Sequence, residues 1–143
     1  PHNSDDSYAR VRVRARLLPT LESELGPGVS AALARTADLL RADTELLDRL
    51  ADDLRARART SDGTLDPEVL RGQPTPLASR AVRQWLIDEG APAGSLTAGH
   101  VDQVMRLVTH WRGQGAVALP GGVHALRDCG RLTVRPNPDT VER

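Results

Sequence analysis

Apolar residues recur at four-residue intervals near the start of the chain, at Val13, Leu17, Leu21 and Leu25. This period predicts an amphipathic helix from about Arg10 to Leu25. The sequence Gly26-Pro27-Gly28 directly after it predicts the end of that helix. Pro19 lies inside the pattern and has no backbone N–H to donate, so we expect a kink there or a break into two shorter helices.

Four arginines accompany this pattern, at positions 10, 12, 14 and 16. At about 100° per residue, Arg10 and Arg14 fall within the apolar arc of the predicted helix. Arg12 and Arg16 fall on the opposite side. A guanidinium group on an apolar face needs a carboxylate, a phosphate or an adjoining domain as its partner, unless its long stem lets it reach water. Both interpretations of Arg10 and Arg14 stay open from the spacing alone.

A longer pattern follows, in which spacings of four and three alternate through Leu33, Ala37, Leu40, Thr44, Leu47, Ala51 and Leu54. It predicts one helix that has Pro27 at its first position and ends at about Arg57. Further apolar residues widen the stripe, at Ala32, Leu39, Leu46 and Leu50. Because the seam of a two-stranded coiled coil is narrower, this face favours packing against helices of its own domain, with a dimerisation seam as the alternative.

Three shorter helices are predicted next. Asp66-Pro67 opens a short turn or helix that reaches Leu70, and a second helix runs from about Pro76 to Glu89. Thr97 caps a third helix, which we expect to end at Gly113. The apolar face of this third helix consists of Val101, Val104, Met105, Val108 and Trp111.

Beyond Gly113 the apolar period falls to two, between Val117 and Val134. Turn sequences at 120–122 and 128–130 divide this segment into a small antiparallel β-hairpin or three-stranded meander. Residues 136–143 are predicted to form a disordered tail. The predicted fold class is therefore mainly α: a helical domain of about five helices with a small C-terminal antiparallel β-hairpin or meander.

Composition excludes several functions. The chain has 143 residues, the size of one ordinary domain, and all 19 of its basic side chains are Arg. Without Lys it cannot carry a Schiff-base or P-loop lysine. With no Phe and three aromatic residues in all, a platform that stacks several successive bases is excluded.

The net charge of zero conceals an uneven distribution. Residues 1–20 carry four Arg against two Asp, residues 21–105 nine Arg against fourteen acids, and residues 106–143 six Arg against three acids. Two basic ends are compatible with an RNA-binding surface, because phosphate attraction depends on the local field. An ordinary mixed surface explains the same charges.

No complete active site is visible in the sequence. The four His have no metal-ligand spacing, so no metal site is expected. Cys129 is the single cysteine, which excludes an internal disulfide, and no nearby His would activate it. The glycines at 113–115 and 121–122 read as turn residues because neither pair follows a strand and opens a helix. No apolar run is long enough for a membrane span, so we expect a cytoplasmic protein.

The opening block is more specific. Asn3, Asp5, Arg10, Arg12 and Arg14, with Pro19 and Leu21 after them, fit the pattern N-x-D-x(4)-R-x-R-x-R-x(4)-P-x-L. This segment resembles the one that closes the catalytic domain of tRNA(Ile)-lysidine synthases. Three further blocks resemble the actinobacterial branch of that family, in the same order: Gly28-Val29 with 32–37, Arg80-x-x-Arg83-x-Trp85-Leu86, and Val108-Thr109-x-Trp111-Arg112-Gly113-Gln114-Gly115.

The resemblance implies an ATP-dependent ligase that adenylates the wobble cytidine of an isoleucine tRNA with a CAU anticodon and joins lysine to it. The product, lysidine, changes decoding from AUG to AUA. The family's nucleotide loop, of SGGxDS type, is missing here, so the resemblance implies a C-terminal fragment. ATP and Mg²⁺ are then expected in the missing N-terminal catalytic domain, with no cofactor bound to this chain, which by itself neither hydrolyses ATP nor makes lysidine.

Three domain-level expectations follow from the resemblance. Residues 1–26 are the end of the catalytic domain and a linking helix, residues 27–135 are the helical tRNA-recognition domain with the β element, and residues 136–143 are the tail. Asn3, Asp5, Arg10, Arg12 and Arg14 are expected to bind lysine or anticodon-stem phosphates and to brace the domain junction. The expected partners are isoleucine tRNA, lysine, ATP and the chain's own catalytic domain, and homodimerisation stays open. The alternative function is a non-enzymatic helical protein-interaction or dimerisation module.

Overall fold

The structure is a computed structural model that describes residues 8–137. By internal packing the chain divides into two units, residues 1–45 and residues 46–143. The disordered tail predicted at 136–143 is wrong at its first residue, because Pro136 pairs with Val123 as the last residue of a strand. The rest of it beyond Asn137 lies outside the described residues, and so do Asn3 and Asp5. None of the helices in the described part of the chain is both long and apolar enough to cross a bilayer.

The first unit begins with one helix of changing type. α1 (Ala9–Arg12) continues through a π-helical stretch (Val13–Leu17) into α2 (Leu18–Leu25). The interruption expected at Pro19 is present as this π stretch, because proline has no N–H for the carbonyl four residues before it. A π turn holds more residues than an α turn. The 100° step that placed Arg14 in the apolar arc therefore does not hold across Val13–Leu17.

α3 spans Val29–Ala58 and begins two residues later than predicted. Gly28 has a φ of +99°, which is outside the helical region, so the helix does not extend back to Pro27. Its first turn is capped by Glu22, whose carboxylate accepts from the backbone N–H groups of Gly28 and Ser30 at 2.7 Å each. These donors, Ser30 foremost, hold the pKa of the Glu22 carboxyl below its usual range.

The apolar stripe of α3 behaves differently along its length. Ala51, Leu54 and Ala58 are buried in the core of the second unit. Leu33 and Leu40 are exposed, and no residue from 8 to 45 is buried. The expectation that the stripe packs within its own domain is confirmed for its C-terminal part and wrong for its N-terminal part. The periodicity predicted a wide apolar face, but it carried no information on where that face finds partners.

The second unit packs three further helices against a small sheet. The helices are α4 (Pro67–Leu70), α5 (Thr75–Asp88) and α6 (Ala98–Thr109). The strands are β1 (Val117–Leu119), β2 (Val123–Asp128) and β3 (Arg131–Pro136), antiparallel in the order β1-β2-β3. α6 is the central element, since it contacts α4, α5, β1 and β2. If residues 9–25 count as one helix, residues 8–137 contain five helices and a meander, so the predicted fold class is confirmed.

The core of the second unit surrounds Trp85. Its ring is fully buried, and its indole N–H donates to the carbonyl of Gly63 at 2.9 Å, so its polar atom is satisfied. Leu65 and Leu132 exchange backbone hydrogen bonds of 3.0 and 2.9 Å, which tie the loop after α3 to β3. Gly121 lies at a close approach: a Cβ there would be 2.6 Å from Cδ of Pro92, and its φ is +85°. Glycine is therefore required at the β1–β2 turn.

α6 starts as predicted and ends early. The Thr97 hydroxyl accepts from the backbone N–H of His100, and His100 Nδ1 accepts from the Thr97 N–H at 3.1 Å, which completes a capping box. The helix ends at Thr109 rather than at Gly113, because His110 leaves the helical region with φ −133° and ψ 45°. Trp111, predicted on the apolar face of α6, therefore lies in the loop beyond it.

Candidate nucleic-acid interface

The predicted site residues that the structure describes lie on the first helix. Arg10 and Arg12 are in α1 and Arg14 is in the π stretch, and all three are exposed. The guanidinium carbon of Arg10 lies 5.6 Å from the centroid of the Tyr8 ring. This is the geometry of a cation–π contact, so Arg10 has an aromatic partner in place of the carboxylate or phosphate that the spacing suggested.

Arg12 and Arg16 line a shallow groove of about 380 Å³ on the same helix. Its floor is mostly apolar, with Val13 and Leu17 exposed along it. Arg10 and Arg14 are not among its lining residues. The structure therefore does not bring the arginines at 10, 12 and 14 to a single concave site, and it presents them as an exposed basic helix.

A second basic surface lies at the C-terminal end of α6, which sequence reasoning did not identify as a site. An open groove of about 510 Å³ lies between the last turn of α6 and the loop after it. We define the α6-end surface as four residues that line this groove together with the exposed Trp111 of the same loop: Arg106, His110, Trp111, Arg112 and Gln114. Trp111 is not a lining residue of the groove, but it lies in the chain between His110 and Arg112, which both line it.

The loop of the α6-end surface is held by Gln114. Its side-chain N–H₂ donates to the carbonyls of His110 at 3.0 Å and of Arg106 at 3.4 Å, and its oxygen accepts from the backbone N–H of Arg112 at 2.6 Å. The last carbonyls of a helix have no partner within the helix, so these bonds cap α6. One side chain thereby fixes both the end of the helix and the direction of the chain that carries Trp111.

Two arginines from other elements complete this cap. Arg127, on β2, donates to the carbonyl of Leu107 at 3.2 Å, and Arg71 donates to that of Val108 at 3.4 Å. Both guanidinium groups also pair with Glu68, at 3.2 and 3.1 Å. Cations are favourable at the negative end of a helix, so these contacts stabilise the end of α6.

Trp111 is the exposed aromatic side chain of this unit. It is 38% exposed, whereas Trp85 is buried. The guanidinium carbon of Arg127 lies 5.6 Å from the centroid of the Trp111 ring. The Arg127 side chain is only 10% exposed and is held by hydrogen bonds to Leu107 and Glu68. The indole of Trp111 therefore packs against a guanidinium group whose position is fixed by the fold. The sequence signal was present as Trp-Arg before a Gly-Gln-Gly loop, but the helical period assigned Trp111 to the core.

Other arginines of the second unit have structural roles. Arg55 pairs with Asp88, and Arg59 pairs with Glu89 at 2.8 Å, which joins α3 to the end of α5. Arg80 on α5 pairs with Asp48 on α3 at 3.1 Å. In contrast, the guanidinium groups of Arg106 and Arg112 form no ion pair with any residue from 8 to 137. Their positive charge faces solvent beside the groove.

The described histidines, acids and cysteine bear on metal binding and thiol chemistry. Among the described residues there is no group of three or more His, Cys, Asp or Glu side chains placed to hold a metal ion. Cys129 is a free, exposed thiol in the β2–β3 turn, where it has a φ of +47°. His100 serves the capping box of α6.

Comparison with known proteins shows which family the chain resembles. Residues 65–133 match the family model described as "TilS substrate binding domain", a range that includes the α6-end surface. The chain is 47% identical to the tRNA(Ile)-lysidine synthase of Streptomyces coelicolor over 135 residues, which cover 94% of this chain and 38% of that protein. The corresponding protein of Thermobifida fusca is 46% identical, covering 94% and 41%. That of Salinispora arenicola is 48% identical, covering 94% and 40%.

The chain spans about two fifths of the length of these curated relatives. The similarity extends over nearly the whole chain, and it does not favour the alternative of a non-enzymatic dimerisation module. The resemblance in the opening block and in the three later blocks is confirmed: nearly the whole chain is similar to tRNA(Ile)-lysidine synthases, and residues 65–133 match the substrate-binding domain of that family.

Proposed function

We propose that this chain is the tRNA-binding C-terminal part of a tRNA(Ile)-lysidine synthase. The parent enzyme would use ATP to join lysine to the wobble cytidine of the CAU anticodon of isoleucine tRNA, which changes decoding from AUG to AUA. The observation that carries the proposal is the 46–48% identity to three such synthases over 94% of the chain. The exposed arginines of the first helix and of the α6-end surface support it, because phosphate contacts supply most of the affinity for RNA.

In this proposal the N-terminal block serves the catalytic cleft. Asn3, Asp5, Arg10, Arg12 and Arg14 would bind lysine or anticodon-stem phosphates and brace the junction with the catalytic domain. The exposure of Arg10, Arg12 and Arg14 supports such contacts, because a phosphate or a carboxylate can approach side chains that lie at the surface.

The nucleotide chemistry would belong to the rest of the parent enzyme. The described glycines at 113–115 and 121–122 lie in a loop after a helix and in a strand turn, so neither pair opens a helix as a phosphate cradle does. ATP and Mg²⁺ would therefore be held by the catalytic domain, and the isolated chain would show no ATP–pyrophosphate exchange. ATP–pyrophosphate exchange catalysed by this chain alone would contradict the assignment of the ATP chemistry to the catalytic domain.

Location in the cytoplasm, where tRNA and ATP are available, belongs to the same proposal.

The test is competition between nucleic acids for the intact chain. Unmodified isoleucine tRNA with the CAU anticodon is labelled and bound at low salt, and unlabelled tRNA or duplex DNA of equal charge is added. The proposal predicts that the tRNA displaces the label and that the DNA is a poorer competitor, because the surface would be shaped for RNA. Equal competition by the DNA would contradict it.

The alternative and the possible homodimer are tested by oligomeric state. A dimer whose melting temperature rises with concentration, and which has no affinity for tRNA at low salt, would favour the interaction module. A dimer that binds tRNA is compatible with the proposed function, because homodimerisation of the parent enzyme does not remove the basic surfaces.

A further inference from the structure

We propose that the α6-end surface holds one unpaired nucleotide of the tRNA, with its base stacked on Trp111 and its phosphate between Arg106 and Arg112. The proposal deepens the tRNA-binding function proposed above and rests on it. It assigns to this part of the chain a type of contact that the arginines of the first helix do not provide.

The charge at the groove favours a phosphate. Arg106 and Arg112 both line it, and their guanidinium groups form no ion pair within residues 8–137. His110 adds a ring that hydrogen-bonds the Thr109 hydroxyl at 2.7 Å. Asp102 is the acidic lining residue, so two cations face one carboxylate around the groove. A guanidinium fork matches the oxygens of a phosphate, which makes this pair suited to the RNA backbone.

The indole favours a base. Trp111 is 38% exposed, although an apolar ring of this size gains free energy by burial. Arg127 supports the ring from within the fold, as its side chain is 10% exposed and bonded to Leu107 and Glu68. A base placed on the exposed part of the indole would extend this cation–aromatic stack by one member. One indole can stack on one base. This agrees with the small number of aromatic residues, which excludes a surface that stacks several successive bases.

The loop is already fixed in the geometry that such a contact needs. Gln114 bonds three backbone groups of the segment that carries His110, Trp111 and Arg112. Binding then loses little loop entropy, since the loop is ordered before the ligand arrives. Because bases in a duplex are stacked on one another, the ligand of an aromatic side chain is an unpaired nucleotide in a loop or at an end.

The test measures tRNA affinity of the intact chain for three variants. Trp111→Ala should weaken binding about five- to 150-fold, the range for one lost base stack, with an unchanged salt dependence because stacking carries no charge. Trp111→Tyr should restore most of the affinity. Arg106→Ala combined with Arg112→Ala should weaken binding and lower the salt slope by about 2.

The matched control is Arg49→Ala combined with Arg57→Ala, which removes the same charge from exposed positions on α3. The proposal expects a clearly smaller effect from this pair. Equal weakening by both pairs would overturn it, because the attraction would then be due to overall charge. Circular dichroism confirms that each variant is folded, and Arg112 is an exposed loop residue, so its own single variant keeps the test valid if Trp111→Ala unfolds.

A second readout is the fluorescence of the indole. The tRNA should quench the emission of the wild-type chain more than that of Trp111→Tyr, in which Trp85 is the remaining, buried indole. If the wild type binds tRNA but the Trp111 and Arg106/Arg112 variants bind equally well, the nucleotide site is wrong and the proposed function stands. If the wild type does not bind tRNA at all, the proposed function itself fails.

Discussion

At the scale of single residues, the arginines divide by what they contact. One group is held by carboxylates and joins elements, as Arg55 does with Asp88 and Arg131 does with Asp66. Another group keeps its charge exposed at the end of α6, where Arg106 and Arg112 line a groove. The type of residue is the same in both groups, so the composition alone does not distinguish a structural arginine from a binding one.

The ion pair between Asp66 and the structural arginine Arg131 predicts how the stability of the fold depends on pH. Its carboxylate accepts from the backbone N–H of Glu68 at 2.9 Å and pairs with Arg131. The Glu68 N–H first, and then Arg131, hold the pKa of the Asp66 carboxyl below its usual range. A lowered folded pKa contributes stability above the unfolded pKa of about 3.9, and this contribution is lost as pH falls through the folded value.

Asp66→Asn should therefore lower the free energy of unfolding at pH 7, and the difference from wild type should shrink as the pH falls below about 4. Asparagine keeps the helix cap, so the difference reports the charge. Urea unfolding at a series of pH values measures it, with Asp53→Asn, on an exposed position of α3, as the control. A difference that stays constant down to pH 2 would show that the ion pair and cap do not act through ionisation.

Among the helices and strands, the sequence predicted those features that depend on residues close together in the chain. The Thr97 cap, the one-turn helix after Asp66 and the meander from Val117 to Val134 are all present, because caps and periodicity act within a few residues. The predicted end of α6 at Gly113 was wrong, because the last carbonyls of the helix are bonded by the side chains of Gln114 and of Arg127, and such contacts leave no periodic signal in the sequence. The N-terminal residues of the candidate site were predicted from a resemblance to a known family. The exposure of Trp111 at the α6-end surface could be seen only in the structure.

α3 offers a direct test of its divided stripe. Leu54 is 1% exposed and Leu40 is 60% exposed, although both lie on the same predicted face. Leu54→Ala should lower the free energy of unfolding by about 2–5 kcal/mol, because it leaves a cavity in the core of the second unit. Leu40→Ala should change it by less than about 0.5 kcal/mol. Chemical denaturation of the two variants makes the comparison, and a large loss for Leu40→Ala would contradict the exposure of the N-terminal part of the stripe.

At the scale of the whole molecule, each of the two units presents basic side chains to solvent. The first unit has the arginines of α1 and the π stretch, and the second has the α6-end surface on a packed core. The zero net charge of the chain therefore says little about the local field at either surface, because several acids of the middle pair with structural arginines such as Arg59 and Arg80.

The proposed tRNA binding is tested most directly by the affinity of the intact chain for isoleucine tRNA with the CAU anticodon over a range of salt concentrations. The wild type is compared with the triple variant Arg10→Ala, Arg12→Ala, Arg14→Ala. The control removes three arginines from exposed positions of α3, at 35, 49 and 57. We expect measurable binding by the wild type, weaker binding by the triple variant, and a salt slope lower by about 3, with a smaller change in the control. A wild-type chain without affinity for this tRNA at low salt, or a triple variant that binds like the wild type, would contradict the proposal.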